Sequence, residues 1–333
     1  MSSEDVQRQQ PDTGTRRRDV LVAGSRVRVV DMHAHCSVPE AEALMGVKNP
    51  FPGLPLADFR TRLDAMDEQG IDVAALSMNP YWYGAGRDLA AEVIRIQNEA
   101  LAEFCTAQPG RFVGLASVAL QHPDLAATQL DDAVKRLGLR GALIGGSVEG
   151  EELADPKFHP FWAKAEELGV VIFIHPQGTY GLESRLKGNG MLENVIGNPL
   201  ETTIALSHLI FEGTLDRFPG LKILAAHGGG YLPSYAARSD AVSRPFPARV
   251  TATAKRPTEY LKQLYYDSLV FTPEGLRHLV AEVGASQVVL GTDHPFPWTA
   301  TAVDHILATP DLTDAERVAM LGGTAAALLG LDR

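Results

Sequence analysis

The feature that most constrains this chain is an alternation. Short apolar runs, rich in β-branched residues, are followed by longer segments whose apolar residues recur every three or four positions. The short runs read as buried strands and the longer ones as amphipathic helices. The strands are Val27–His35, Ile71–Ser77, Phe112–Leu120, Gly141–Ile144, Val170–Ile174, Lys222–Ala226, Leu264–Ser268 and Val288–Gly291. The helices between and after them are predicted at 56–69, 88–107, 124–137, 158–168, 200–212, 231–242, 273–283 and 314–329. Residues 36–56, with Pro39, Pro50, Pro52 and Pro55, read as a loop. About eight strand–helix units without a break in composition predict an α/β chain closed into a (β/α)8, TIM-like barrel, as a single domain. An open doubly wound sheet is the competing architecture.

The barrel is assigned to residues 25–333. Residues 1–24, rich in Gln, Arg, Ser and Asp, read as a flexible N-terminal tail. The apolar stretch after Arg16-Arg17-Arg18 is too short for a secretory segment. No apolar run approaches the roughly 18 residues of a membrane helix, so no membrane partner is expected. A net charge of -11 argues against nucleic acid, which needs clustered Lys and Arg. The only cysteines, Cys36 and Cys105, are too few for a disulfide framework, so a reduced, cytoplasmic protein is expected. Cys36 is expected as a small buried side chain rather than a ligand.

The chemistry gathers at strand ends. Asp31-Met-His-Ala-His35 places two histidines one residue apart, and on an extended backbone residues i and i+2 point to the same side. His175, His227 and Asp293 also stand just past strands. In a barrel those ends converge on one face, so five metal-capable residues meet there and predict a site for a divalent cation. His122, His159, His278 and His305 fall in helices or surface turns, and His208 reads as helix packing. His294, beside Asp293, is a candidate neighbour of the ligands.

Asp31-Met-His-Ala-His35, His175-Pro176, His227-Gly-Gly-Gly230 and Gly291-Thr-Asp-His-Pro-Phe-Pro297 resemble the metal pattern of the amidohydrolase superfamily. Arg111-Phe-Val-Gly-Leu, Glu201-Thr-Thr-Ile-Ala205, Arg217-Phe-Pro-Gly-Leu-Lys222 and Ala226-His-Gly-Gly-Gly resemble more specifically the 2-amino-3-carboxymuconate-6-semialdehyde decarboxylase family. The resemblance runs from about Val29 to Leu331. It implies one metal ion, Zn2+ or else Mn2+, held by His33, His35, His175 and Asp293, with a water completing the shell. It implies that His227 is the acid/base beside that water. Lysine is absent from the fourth strand end, Gly141-Ala-Leu-Ile-Gly-Gly-Ser147, so a carbamate-bridged second metal is not expected.

The resemblance further implies a homodimer in which Arg238, with Arg244 as a second candidate, meets substrate across the subunit boundary. A guanidinium suits a carboxylate. The chain departs from the family in two places. Residues 36–56 contain no arginine, and Met191-Leu-Glu-Asn194 stands where the family has tryptophans. Tyr81-Trp82-Tyr83 and Trp298 are instead the aromatic candidates for substrate contact. The reading is a metal-dependent non-oxidative decarboxylase of a small aromatic or muconate-type acid, with Asp293 or His227 delivering the proton. A hydrolase of carbon–carbon bonds or a hydratase on the same site is the alternative. A metal-binding protein without catalysis is the remote one.

Overall fold

The computed structural model describes residues 17–48, 51–249 and 252–331. Its parallel strands are β1 Val30–His35, β2 Val73–Ser77, β3 Phe112–Gly114, β4 Gly141–Ile144, β5 Val171–Ile174, β6 Lys222–Ala225, β7 Leu264–Asp267 and β8 Val288–Val289. They form a five-stranded run ordered β8-β7-β6-β5-β4 and a three-stranded run ordered β1-β2-β3. Two seams join the runs. Ala116 bridges Ala142 in parallel, and Ala34 bridges His294. The Met32 amide donates to the Leu290 carbonyl at 2.9 Å, beside the second seam. The sheet is therefore closed, as the alternation predicts.

The helices wrap the outside. They are α1 Phe59–Gln69, α2 Arg87–Ala107, α3 Pro123–Lys135, α4 His159–Leu168, α5 Asn198–Phe211, α6 Leu232–Ser243, α7 Pro273–Val283 and α8 Thr324–Leu329. All but α8 bury an apolar stripe against outward-facing strand residues such as Leu76, Ile144, Ile174 and Ile223. A second, smaller cluster fills the barrel, with Val30, Met32, Val73, Phe173, Leu224 and Val289 packed against Leu328 and Leu329 of α8. None of the described helices is long and apolar enough to cross a membrane.

Several expectations shift. The last helix, predicted unbroken over 314–329, is Asp314–Val318, a π turn Ala319–Gly323, and then α8. The backbone carbonyl of Arg28 passes so close to Gly322 that a Cβ there would stand 2.1 Å from its oxygen, and the helix adjusts its winding at that contact. The predicted loop after β1 contains a short helix, Pro39–Leu44, opened by its proline. The 112–120 strand stops at Gly114. The tail is shorter than assigned. Leu21–Val22 pairs with Ser25–Arg26 in a hairpin, and Val20 and Val22 are buried in the core. Residues 1–16 lie outside the described residues.

Candidate metal centre

β1 carries an irregularity that decides where its histidines point. Its pairing with β2 shifts register between Asp31 and Ala34. Before the shift, Val30 and Met32 face the barrel interior. After it, Ala34 faces outward with the helices, and His33 and His35 face inward. An added residue inverts the parity of a strand. Without the shift, the inward set would continue through Ala34 and leave the histidines against the helices.

His33, His35, His175 and Asp293 converge. One ligand atom from each lies within 4.8 Å of all the others, and all four residues are buried. The Nε2 atoms of His33 and His35 stand 3.0 Å apart, and Asp293 Oδ1 lies 3.2 Å from the first and 3.0 Å from the second. Both ring nitrogens of His175 are buried without a hydrogen-bond partner among the described residues. Buried polar atoms without partners are costly. Neutral imidazoles and a carboxylate aimed at one point form a donor set suited to a divalent cation, and such a cation would take up the unpartnered nitrogens. Cys36 is buried but stands outside this cluster. Gly145 and Gly146 follow β4, so no second bridging ligand comes from there.

The electrostatics fit the same reading. Burial lowers the His33 imidazolium, but Asp293 and Asp267 outweigh it and raise its pKa, so His33 favours a positive charge among these carboxylates that a cation at Nε2 would replace. His175 is held well below the ordinary imidazole value by burial and by His35 and His33, so it stays neutral and able to ligate. Burial pushes Asp293 up, but His33 and the hydrogen bonds around it hold the carboxyl well below its ordinary value.

Asp267, the last residue of β7, is the participant that the sequence reading missed. It has no exposed surface. Its Oδ2 accepts from His33 Nδ1 at 2.6 Å and from the His227 amide at 2.9 Å, while Oδ1 accepts from the amides of Gly228 at 2.9 Å and Leu269 at 3.1 Å. A carboxylate on the far nitrogen fixes the His33 tautomer, so that Nε2 faces the cluster as an acceptor. The available signal was an acidic residue ending the apolar run Leu264-Tyr-Tyr-Asp267, the pattern already used for the ligands.

Asp31 is not part of the cluster. It is buried and accepts from Thr292 Oγ1 at 2.6 Å and from the His33 amide at 3.0 Å, which ties the start of the HxH segment to the strand end that carries Asp293. His294 is partly buried. Its carbonyl accepts from the His35 amide at 2.7 Å, and its Nε2 has no partner among the described residues.

His227 sits outside the four. Its Nε2 is 3.8 Å from Asp293 Oδ2, and its side chain is 16% exposed. Both residues adopt left-handed backbone, φ 55° and 58°. Such conformations cost about 1–3 kcal/mol in a non-glycine residue and recur at functional sites. The glycines after His227 are sterically required. A Cβ on Gly230 would stand 2.1 Å from the Pro199 carbonyl oxygen.

The proposed substrate contacts separate. Tyr81 lines a cavity on the same face, beside the loop that follows His175. Trp82 does not. It is fully buried in the core, with its indole N–H donating to the Val118 carbonyl at 2.9 Å, and this removes it from the substrate-facing set. Trp298 is 37% exposed. It stacks on Phe296, whose ring lies 5.7 Å from that of His35, so it reaches the centre only through another ring. Arg238 and Arg244 are exposed on and just after α6, and neither guanidinium has a partner among the described residues. Arg238 borders an outer groove between α5 and α6. His208 is partly exposed and paired with Glu212, not packed in the core.

The amidohydrolase family model (Amidohydro_2) matches residues 30–331. The chain belongs to this family. It is 32% identical over 282 residues to the 2-amino-3-carboxymuconate-6-semialdehyde decarboxylase of Dictyostelium discoideum, covering 83% of this chain and 77% of that one. It is 31% identical over 301 residues to the gamma-resorcylate decarboxylase of Rhodococcus jostii, covering 84% and 89%. It matches a dihydroxybenzoic acid decarboxylase from Polaromonas, solved with manganese and the inhibitor 2-nitroresorcinol, at 27% identity and a TM-score of 0.78, covering 92% and 98%. The family and the barrel are thus those expected from the motifs.

Proposed function

We propose that this amidohydrolase-family protein is a metal-dependent, non-oxidative decarboxylase of a small aromatic or muconate-semialdehyde-type acid. The observation that carries the reading is the buried His33, His35, His175 and Asp293 cluster, with its unpartnered nitrogens and with His227 beside it. The named activities of the relatives above support the reaction class. The three-nitrogen, one-oxygen donor set suits Zn2+, and Mn2+ is the competing ion because the Polaromonas relative holds it.

A divalent cation bound there supplies positive charge to a substrate carboxylate and to charge that develops during reaction. Asp267 keeps His33 oriented for that role. Asp293 and His227, 3.8 Å apart, hold and move a proton above the cluster. Protonation of the carbon that bears the carboxylate breaks conjugation, and departure of CO2 restores it. One proton enters, one CO2 leaves, and no oxidant is required.

Arg238, and with it Arg244, is proposed to act across a homodimer interface. Tyr235, which lines the same groove as Arg238, is 69% exposed, and Phe246, two residues past Arg244, is 56% exposed, apolar surface that a second copy would cover. Mixed dimers of His227→Ala and Arg238→Ala chains regain activity if the site is shared and none if it is self-contained.

Metal analysis combined with product analysis tests the main reading, using hydroxybenzoates, carboxymuconate semialdehydes and ring-cleavage products. One equivalent of metal with CO2 release is expected. Release of two organic fragments, or addition of water, would transfer the site to hydrolase or hydratase chemistry.

A further inference from the structure

A cavity of about 610 Å3 opens on the metal-bearing face. It is framed by the loops that follow β2, β4 and β5, and Gln177 on its wall is two residues beyond His175. No metal-cluster residue lines it, and Gln177 links it to the centre, so a molecule anchored at the centre could extend its remainder this way. Its charge is one-sided. Glu149, Glu183 and Glu193 border it, and its described lining includes no lysine or arginine. Glu149 reaches across the mouth, since its Oε1 lies 3.2 Å from where a Cβ on Gly84 would stand.

The hydrogen-bonding polarity of the wall is also defined. Tyr81 Oη accepts from Gln97 Nε2 at 2.8 Å, and Tyr83 Oη accepts from the Gly145 amide at 2.9 Å. Each oxygen is thus fixed by a donor, and neither phenol donates its own hydrogen to another described residue. Burial pushes both phenols above their ordinary pKa, so each keeps that hydrogen. The wall therefore offers two neutral O–H donors inside an acidic rim. A neutral ring oxygen, such as a hydroxyl or methoxy group, accepts from them without cost. A second carboxylate would accept as well, but it would enter against like charges and find no lysine or arginine in the lining.

We propose that this cavity is the ring-binding part of the active site. In this arrangement Tyr81 and Tyr83 select a neutral oxygen substituent, and Glu149 disfavours a second carboxylate on the substrate. The inference rests on the decarboxylase reading and narrows its substrate class to aromatic acids with a single carboxylate and at least one further oxygen.

The test uses the metal-loaded enzyme with pairs of ring acids that differ only in carrying a hydroxyl or a carboxylate away from the reacting group. In parallel, calorimetry follows binding of the matching nitro compounds, which cannot lose CO2. The hydroxyl member is expected to be favoured about ten-fold in kcat/KM at low salt, narrowing as ionic strength rises. Glu149→Gln should narrow it several-fold in both assays. Tyr81→Phe and Tyr83→Phe should each raise KM for the hydroxyl substrate about five-fold with little change in kcat, the effect of one lost hydrogen bond. Equal kcat/KM for the two members, or a preference that none of the three variants alters, would overturn the proposal. Failure of the decarboxylase reading is distinct, because no ring acid would then release CO2 while the calorimetric preference would still report on the cavity.

Discussion

Two sides of the same barrel face are built in opposite ways. At the ends of β1, β5, β7 and β8 the clustered groups are buried, and all but His175 are held by another buried group. Asp267 grips His33 and three loop amides, and Asp31 grips Thr292. Around the loops after β2, β4 and β5, the cavity walls combine half-buried tyrosines with exposed carboxylates. The first side restrains its groups through buried hydrogen bonds, as ligation and proton transfer require. The second sets charge and hydrogen-bond polarity, which can change without disturbing the first. Under the proposed function, chemistry falls to one side and selectivity to the other.

The largest effect expected from breaking this division is on the rigid side. His175→Ala removes a proposed ligand whose nitrogens have no described partner. Metal content should fall to background, and CO2 release should drop by at least about three orders of magnitude. A variant that keeps its metal and its rate would remove His175 from the cluster. Next comes Asp267→Asn, which preserves shape but exchanges an acceptor for an amide facing His33. Metal affinity should weaken about 10- to 100-fold. Titration with a competing chelator measures it, and unchanged affinity would make Asp267 merely a structural brace.

Thr292→Val sharpens the comparison through stability and pH. Burial raises the Asp31 carboxyl to about 6, with the Thr292 hydroxyl opposing the rise. The folded protein therefore holds a proton there that the unfolded chain releases near pH 4, and stability falls as pH climbs from about 4 to about 6. Without the hydroxyl the carboxylate loses a partner. The variant should lose about 1–3 kcal/mol at pH 7 and less below pH 4, as read by denaturant unfolding at both values. An equal loss at both would remove the carboxylate from the explanation.

The smallest expected effect falls on the selectivity side. Trp82→Phe leaves the buried Val118 carbonyl without its indole donor. Stability should drop by about 1–2 kcal/mol while KM stays the same, because the ring does not face the cavity. A changed KM with unchanged stability would return Trp82 to the substrate.

Much of this was legible in the order of residues. The alternation of strand and helix follows from local periodicity, and periodicity is a property of neighbours in the chain. His33, His35, His175, His227 and Asp293 could be picked out because polar groups stood where apolar strands ended. Helix α7 was read with the bounds it has in the structure, Pro273–Val283, because proline opens it and Gly284 follows it.

Other features required chain segments far apart to meet. Two tyrosines and a tryptophan stand side by side in Tyr81-Trp82-Tyr83, yet a carbonyl 36 residues away takes Trp82 into the core while its neighbours reach the cavity. Asp267 became part of the site only when β7 closed beside β1, 234 residues distant, and a shift in strand register turned the two histidines inward. Short-range pattern and strand-end position were enough for the barrel and for the residues that cluster at its end. Tertiary structure alone decided which side chains face the centre, the cavity or the core, because the direction of a side chain depends on what the closed sheet brings opposite it.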